Sequence, residues 1–152
     1  MYVKASEQSE IWTFSGDDPT YELMWVRVRD NVIGALYHPP KPSYDTSKLL
    51  DYLEASVHEI TQQLPSAFII LAGDFNQITD SAVLERTGLI QIIQQPTRGA
   101  STLDRLFVSC PTAYSCVRVI SSIVRSDHKA IVASKSVYKS TAKKPYQRVT
   151  PT

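Results

Sequence analysis

Three groups of polar residues in this chain could do chemistry. Asp74 and Asn76 follow four apolar residues in Phe68-Ile69-Ile70-Leu71-Ala72-Gly73-Asp74-Phe75-Asn76. Asp104 interrupts the apolar stretch Leu103-Asp104-Arg105-Leu106-Phe107. Asp127 and His128 are adjacent in Arg125-Ser126-Asp127-His128. Carboxylate oxygens suit hard divalent cations, and Mg2+ typically takes only one or two of them from a protein. A carboxylate beside an imidazole holds the ring in place and favours its cationic form, which can stabilise phosphate charge. Taken singly, each group also has a plainer reading. Asp-Phe-Asn is a turn, Asp104 a hydrogen-bonded structural carboxylate, and Asp-His a surface loop.

Apolar elements must hold these groups in place. The run Phe68 to Leu71 predicts a strand buried on both faces, ending at Gly73 where the backbone turns freely. In extended geometry Asp74 and Asn76 point to one side of that strand's end. Before it, Leu49, Leu50, Leu53, Val57, Ile60 and Leu64 recur at helical spacing. They predict a helix over 45–63, capped by Asp45 or Thr46 and stopped ahead of Pro65. Residues 23–28 and 32–37 alternate as a β-hairpin, with Leu23 and Trp25 on one face and Met24, Val26 and Val28 on the other. Tyr2-Val3-Lys4 reads as the end of a strand, and residues 7–20 as polar chain with a turn at Gly16-Asp17-Asp18-Pro19. Asp80 or Ser81 is expected to cap a short helix that Gly88 stops. Strands follow over 102–108, 114–124 and 130–133. This order predicts an α+β fold with sheets packed between helices.

Composition narrows the class. The 152 residues are 43% hydrophobic, enough for one domain with a core. No apolar run approaches membrane-spanning length, and the first residues hold no signal-peptide core, which points to cytosol or nucleus. The two cysteines, Cys110 and Cys116, have no metal-ligand spacing and read as structural or free thiols, with no disulfide expected in a reducing compartment. Residues 1–134 carry 11 Lys and Arg against 15 Asp and Glu, a balance of −4. Residues 135–152 carry Lys135, Lys139, Lys143, Lys144 and Arg148 and no acid. They read as a basic tail or linker, able to meet a nucleic-acid backbone or simply to stay solvated. The expected division is a domain over 1–134 and a tail over 135–152.

Taken together, Ala72-Gly73-Asp74-Phe75-Asn76, Leu103-Asp104 and Ser126-Asp127-His128 resemble the motifs of the endonuclease/exonuclease/phosphatase superfamily, which includes DNase I-like enzymes and apurinic endonucleases. Tyr37-His38-Pro39-Pro40 and Pro96-Thr97-Arg98-Gly99 resemble the endonuclease domains of LINE-type non-LTR retrotransposons. The resemblance runs from Tyr2 to about Ala133. It implies a two-sheet αββα sandwich of the DNase I-like type and hydrolysis of DNA phosphodiesters with Mg2+ or Mn2+. A place beside a reverse transcriptase in a longer polyprotein is implied as well. Carried onto this sequence, Asp74 activates the attacking water, Asn76 bonds the phosphate and holds Asp74, and Tyr37 donates to a phosphate oxygen. Asp127 sits at the metal, His128 meets the scissile phosphate with Asp104 fixing its ring, and Arg98 contacts substrate. His38 and Arg105 depart from the familiar motifs and receive no role.

The family pattern also has an early Asn and a metal-binding Glu, at strand ends ahead of the first motif found here. Glu7, Glu10 and Glu22 sit in no matching context. The expectation is therefore an N-terminally incomplete domain with impaired catalysis. Two alternatives stay open: a catalytically dead remnant with weak nucleic-acid binding, and a phosphatase of the same superfamily.

Overall fold

A computed structural model describes residues 1–136. The chain forms β1 (Ser9–Ile11), β2 (Glu22–Val28), β3 (Asn31–Tyr37), α1 (Thr46–Gln63), β4 (Phe68–Asp74), α2 (Asp80–Thr87), β5 (Ile90–Gln91), β6 (Asp104–Val108), a 3-10 turn (Pro111–Ala113), β7 (Tyr114–Ile120) and β8 (Ala130–Lys135). Six strands make one sheet in the order β1-β2-β3-β4-β6-β5, and β7 and β8 make a second. The α+β, two-sheet architecture is as expected.

β4 is the strand around which the layers assemble. It runs parallel to β3 and antiparallel to β6. A parallel neighbour needs a crossover, and α1 supplies it. One face of β4 puts Ile69 and Leu71 into a core with Leu49, Leu53 and Ile60 of α1 and Phe107 of β6. The other puts Ile70 and Ala72 against Val117, Val119, Ile131 and Ala133 of the small sheet. Helices therefore cover one side and a second sheet the other, which is why the run is apolar without alternation. Gly73 has φ +151, and a Cβ there would lie 1.8 Å from the carbonyl oxygen of Leu36 on β3. Only glycine fits this approach.

The helix ends follow local chemistry. Asp45 caps α1, accepting from the Ser47 N–H at 2.9 Å. Thr79, not Asp80 or Ser81, caps α2, its hydroxyl accepting from the Ala82 N–H at 3.2 Å. Several residues in a row there have capping side chains, and only the backbone turn decides among them. Gly88 closes α2 in the left-handed conformation.

Two expectations fail at the N-terminus. Tyr2-Val3-Lys4 is not a strand, and the first strand lies within the segment read as polar chain. β1 is a fully exposed edge held by pairing to β2, so it shows no apolar alternation to detect. Lys135 closes β8, its ammonium 3.9 Å over the Phe68 ring. The rest of the basic tail, 137–152, lies outside the described residues. Among those described, no helix is long and apolar enough to cross a membrane.

Candidate active site

The sheet ladder aligns four polar residues in one row. Glu22 of β2 pairs with Tyr37 of β3, Tyr37 with Asp74 of β4, and Asp74 with Asp104 of β6. Directly paired residues share a face of a sheet. The row therefore collects three carboxylates and a half-exposed phenol along one end.

β8 begins just after the turn that brings His128 to this row. His128 Nδ1 donates to Asp104 Oδ2 at 2.6 Å. That bond gives the part-buried Asp104 its partner and leaves Nε2 as the ring's remaining polar atom. Ligand atoms of Asp74, Asp104 and His128 all lie within 4.8 Å of one another. Two ligands on opposite sides of a Mg2+- or Ca2+-sized cation stand roughly 4–5 Å apart. The two carboxylates fit a hard divalent ion. The imidazole is already committed to Asp104 through Nδ1.

The remaining expected residues flank this cluster. Asn76 is buried with φ +43. Its backbone N–H donates to Asp74 Oδ1 at 3.1 Å, and its amide donates to the His38 carbonyl at 2.6 Å. The segment is thus a tight turn, not the extended chain expected, and Asn76 meets Asp74 through its backbone. Asp127 lies outside the three-residue cluster. Its exposed carboxylate pairs with Arg98 Nε at 2.7 Å, so these two expected residues meet each other.

Three residues that sequence reasoning passed over hold the site together. Thr97 is fully buried, and its hydroxyl accepts from the N–H groups of Leu103 at 3.1 Å and Asp104 at 3.0 Å. Its carbonyl accepts from the Lys129 N–H at 2.7 Å. One residue thereby fixes the backbone at both halves of the Asp104–His128 pair. Arg105 is 11% exposed and donates to the carbonyls of Thr102, Ile78 and Asn76, pairing also with Asp80. It clamps the loop that follows β4. His38 is buried, donates its N–H to the Asp74 carbonyl at 2.9 Å and shares a hydrogen bond with Tyr44 at 2.9 Å. Burial holds its imidazole below the usual range, with Asp74 opposing. The signals existed: a threonine in the recognised Pro-Thr-Arg-Gly motif, an arginine inside an apolar strand, and a histidine following Tyr37.

No family model matches the sequence, and no curated protein matches it. Solved structures do. The endonuclease domain of TRAS1, a telomere-specific non-LTR retrotransposon, aligns with TM-score 0.59 and 18% identity, over 88% of this chain and 81% of that one. D. rerio TDP2 complexed with a single-strand DNA product aligns with TM-score 0.52 and 17% identity, over 83% and 66%. An AP endonuclease from Archaeoglobus fulgidus aligns with TM-score 0.51 and 14% identity, over 86% and 72%. The fold of this chain is that of these DNase I-like structures.

Proposed function

We propose that this chain is a divalent-cation-dependent phosphodiesterase that nicks DNA, of the retrotransposon endonuclease type. The observation that carries the reading is the convergence of Asp74, Asp104 and His128 from three elements onto one end of the sheet. A fold shared with two endonucleases and a DNA-bound TDP2 supports nucleic acid as substrate.

Asp74 accepts the proton of the attacking water, held in place by the Asn76 N–H. The water oxygen bonds to phosphorus, and the phosphorus–oxygen bond to the leaving nucleotide breaks. His128, its ring set by Asp104, hydrogen-bonds a non-bridging oxygen as charge builds there. Tyr37, next to Asp74 in the ladder, donates to another. Arg98 takes a backbone phosphate of the flanking DNA, and Asp127, freed from Arg98, adds its charge beside the cation. Asp74 and Asp104 are the residues that would hold Mg2+ or Mn2+, which when bound would supply neutralisation of phosphoryl charge. With two carboxylates and a committed imidazole at hand, we read its affinity as weak and turnover as impaired.

The test is nicking of supercoiled plasmid by this chain, with and without Mg2+, beside Asp74→Ala and His128→Ala. Nicking that needs the cation and is lost in both variants is expected. Soluble, folded protein that binds plasmid without nicking would make it a remnant. Phosphate release from small phosphoesters with no nicking would make it a phosphatase.

A further inference from the structure

We propose that this chain forms a twofold dimer in which β1 of each copy pairs with β8 of the other, and the uncovered halves of the two large sheets close on one another.

The two sheets differ in width. The small sheet packs on Ile70, Ala72, Leu106 and Val108, which belong to β4 and β6. β3, β2 and β1 carry the same face of the large sheet beyond it. There the ladder aligns Ile11 with Val26 and Ile33, and Met24 with Ala35. Ile11 is 71% exposed and Met24 46% exposed, Ala35 and Tyr37 are exposed as well, and only Val26 on this face is buried. Apart from Glu22 in the site row, the face of these three strands carries no charged side chain. A contiguous exposed apolar face of this kind marks a protein contact and repels a polyanion no less than water.

A free strand edge bounds this face on each layer. β1 ends the large sheet, and β8 ends the small one on the same side. β8 lies toward β3, since the Lys135 ammonium donates to Asn31 Oδ1. β7 lies toward β5, its Val119 N–H donating to Gln95 Oε1 at 3.3 Å. Unpaired edges are templates for an added strand.

The two edges suit each other. β1 runs antiparallel to β2, β2 antiparallel to β3, and β3 parallel to β4, so β1 and β4 share a direction. β8 starts where His128 meets Asp104, at the end of β4, and finishes with Lys135 over Phe68 at its start, so it runs against β4. A twofold axis parallel to the strands keeps strand direction. It sets β1 antiparallel to β8 of the other copy, repeats that pairing on the far side, and lays face on face between them. One operation satisfies both edges and both faces, which is what closure requires. Charge agrees. β1 is Ser-Glu-Ile and β8 ends in lysine beside the row where β1 starts, so Glu10 of one copy comes toward Lys135 of the other. Roughly 17 residues of each copy take part, against about 20–30 in a standard interface, which makes the dimer a weak one of micromolar affinity.

The experiment is sedimentation velocity over a range of concentrations, with hydrogen exchange on the same samples, for the wild type, an Ile11→Glu/Met24→Lys double variant and an Ile11→Leu/Met24→Leu variant. Both positions are exposed in one copy, so an unchanged melting temperature at low concentration is the folding control. The wild type should pass from monomer to dimer as concentration rises, and amides of β1 and β8 should gain protection together. The charged variant should raise the dissociation constant about a hundredfold or more, tenfold for each charge set on the apolar face. The leucine variant should keep the dimer. A wild type that stays monomeric would overturn the proposal. Dimers that persist in the charged variant, or protection at only one of the two edges, would place the contact elsewhere and overturn it too. Growth beyond the dimer would overturn the closed twofold. None of these readouts involves DNA or a cation, so their failure leaves the nuclease reading untouched.

Discussion

Asp74 and Asp104 are direct partners across the β4–β6 ladder, two carboxylates facing each other at the end of the central strands. Like charges placed so oppose folding, here on the order of 0.5 kcal/mol. The pair therefore favours a cation between them. In chelator, Asp74→Asn should melt about 2 °C above the wild type, because it keeps the Oδ1 acceptor for the Asn76 N–H while removing a charge. Adding Mg2+ or Mn2+ should raise the wild-type melting temperature and leave the variant where it was. Nicking should disappear in the variant. Thermal melting with and without metal checks this, and equal metal shifts in both proteins would put the cation elsewhere.

Thr97 decides whether Asp104 and His128 meet. Thr97→Val keeps the volume and removes the acceptor, leaving the Leu103 and Asp104 N–H groups without a partner. It should cost about 2 kcal/mol, whereas Thr97→Ser should cost under half of that. The rate should fall with the geometry. The Val variant is expected to lose kcat at nearly constant KM, and the Ser variant to regain most of it. Urea denaturation and steady-state kinetics on the three proteins separate the two effects.

Arg105 carries its charge inside the sheet only because a fork of donors finds three carbonyls and Asp80. Arg105→Ala should destabilise by about 3 kcal/mol, since three carbonyls lose charged donors. Arg105→Lys should recover less than half, because an ammonium is a point charge and cannot reach all of them. If Lys restored full stability and nicking, the clamp would be electrostatic and not geometric.

The layers were readable because β4 and α1 state their environments plainly. An unbroken apolar run needs cover on both faces, and an apolar stripe at helical spacing needs cover on one. That Asp104 needs a partner was readable for a similar reason, since a carboxylate inside an apolar strand calls for one, whereas His128 as that partner came only with the family resemblance. Other features depend on backbone geometry that no residue type announces. β1 is held by ladder bonds to β2 and one exposed ion pair, Glu10 with Arg27. Asn76 takes positive φ and turns its amide to His38, where extended spacing had aligned it with Asp74. Asp127 meets Arg98 because two turns converge, a coincidence of tertiary structure. Thr97 and Arg105 were visible as residues, but their roles lie in which backbone groups they reach.

His38 links the site to pH through stability. Burial lowers its folded-state pKa below the ordinary value of 6.5, which the unfolded chain keeps. Above that value the ring is neutral in both states, and pH has no effect through it. Below it the unfolded chain takes up a proton that the folded one resists, so stability is lost as pH falls through 6.5 toward the lowered folded value. Melting temperature should therefore decline from pH 7 to pH 5. His38→Gln should decline less over the same window, whatever its starting stability, because glutamine does not titrate. The Asn76 amide donates to the His38 carbonyl, so nicking should fade with the same acid profile in the wild type and more shallowly in the variant. Parallel melting curves for the two proteins would show that His38 is already free to protonate in the fold.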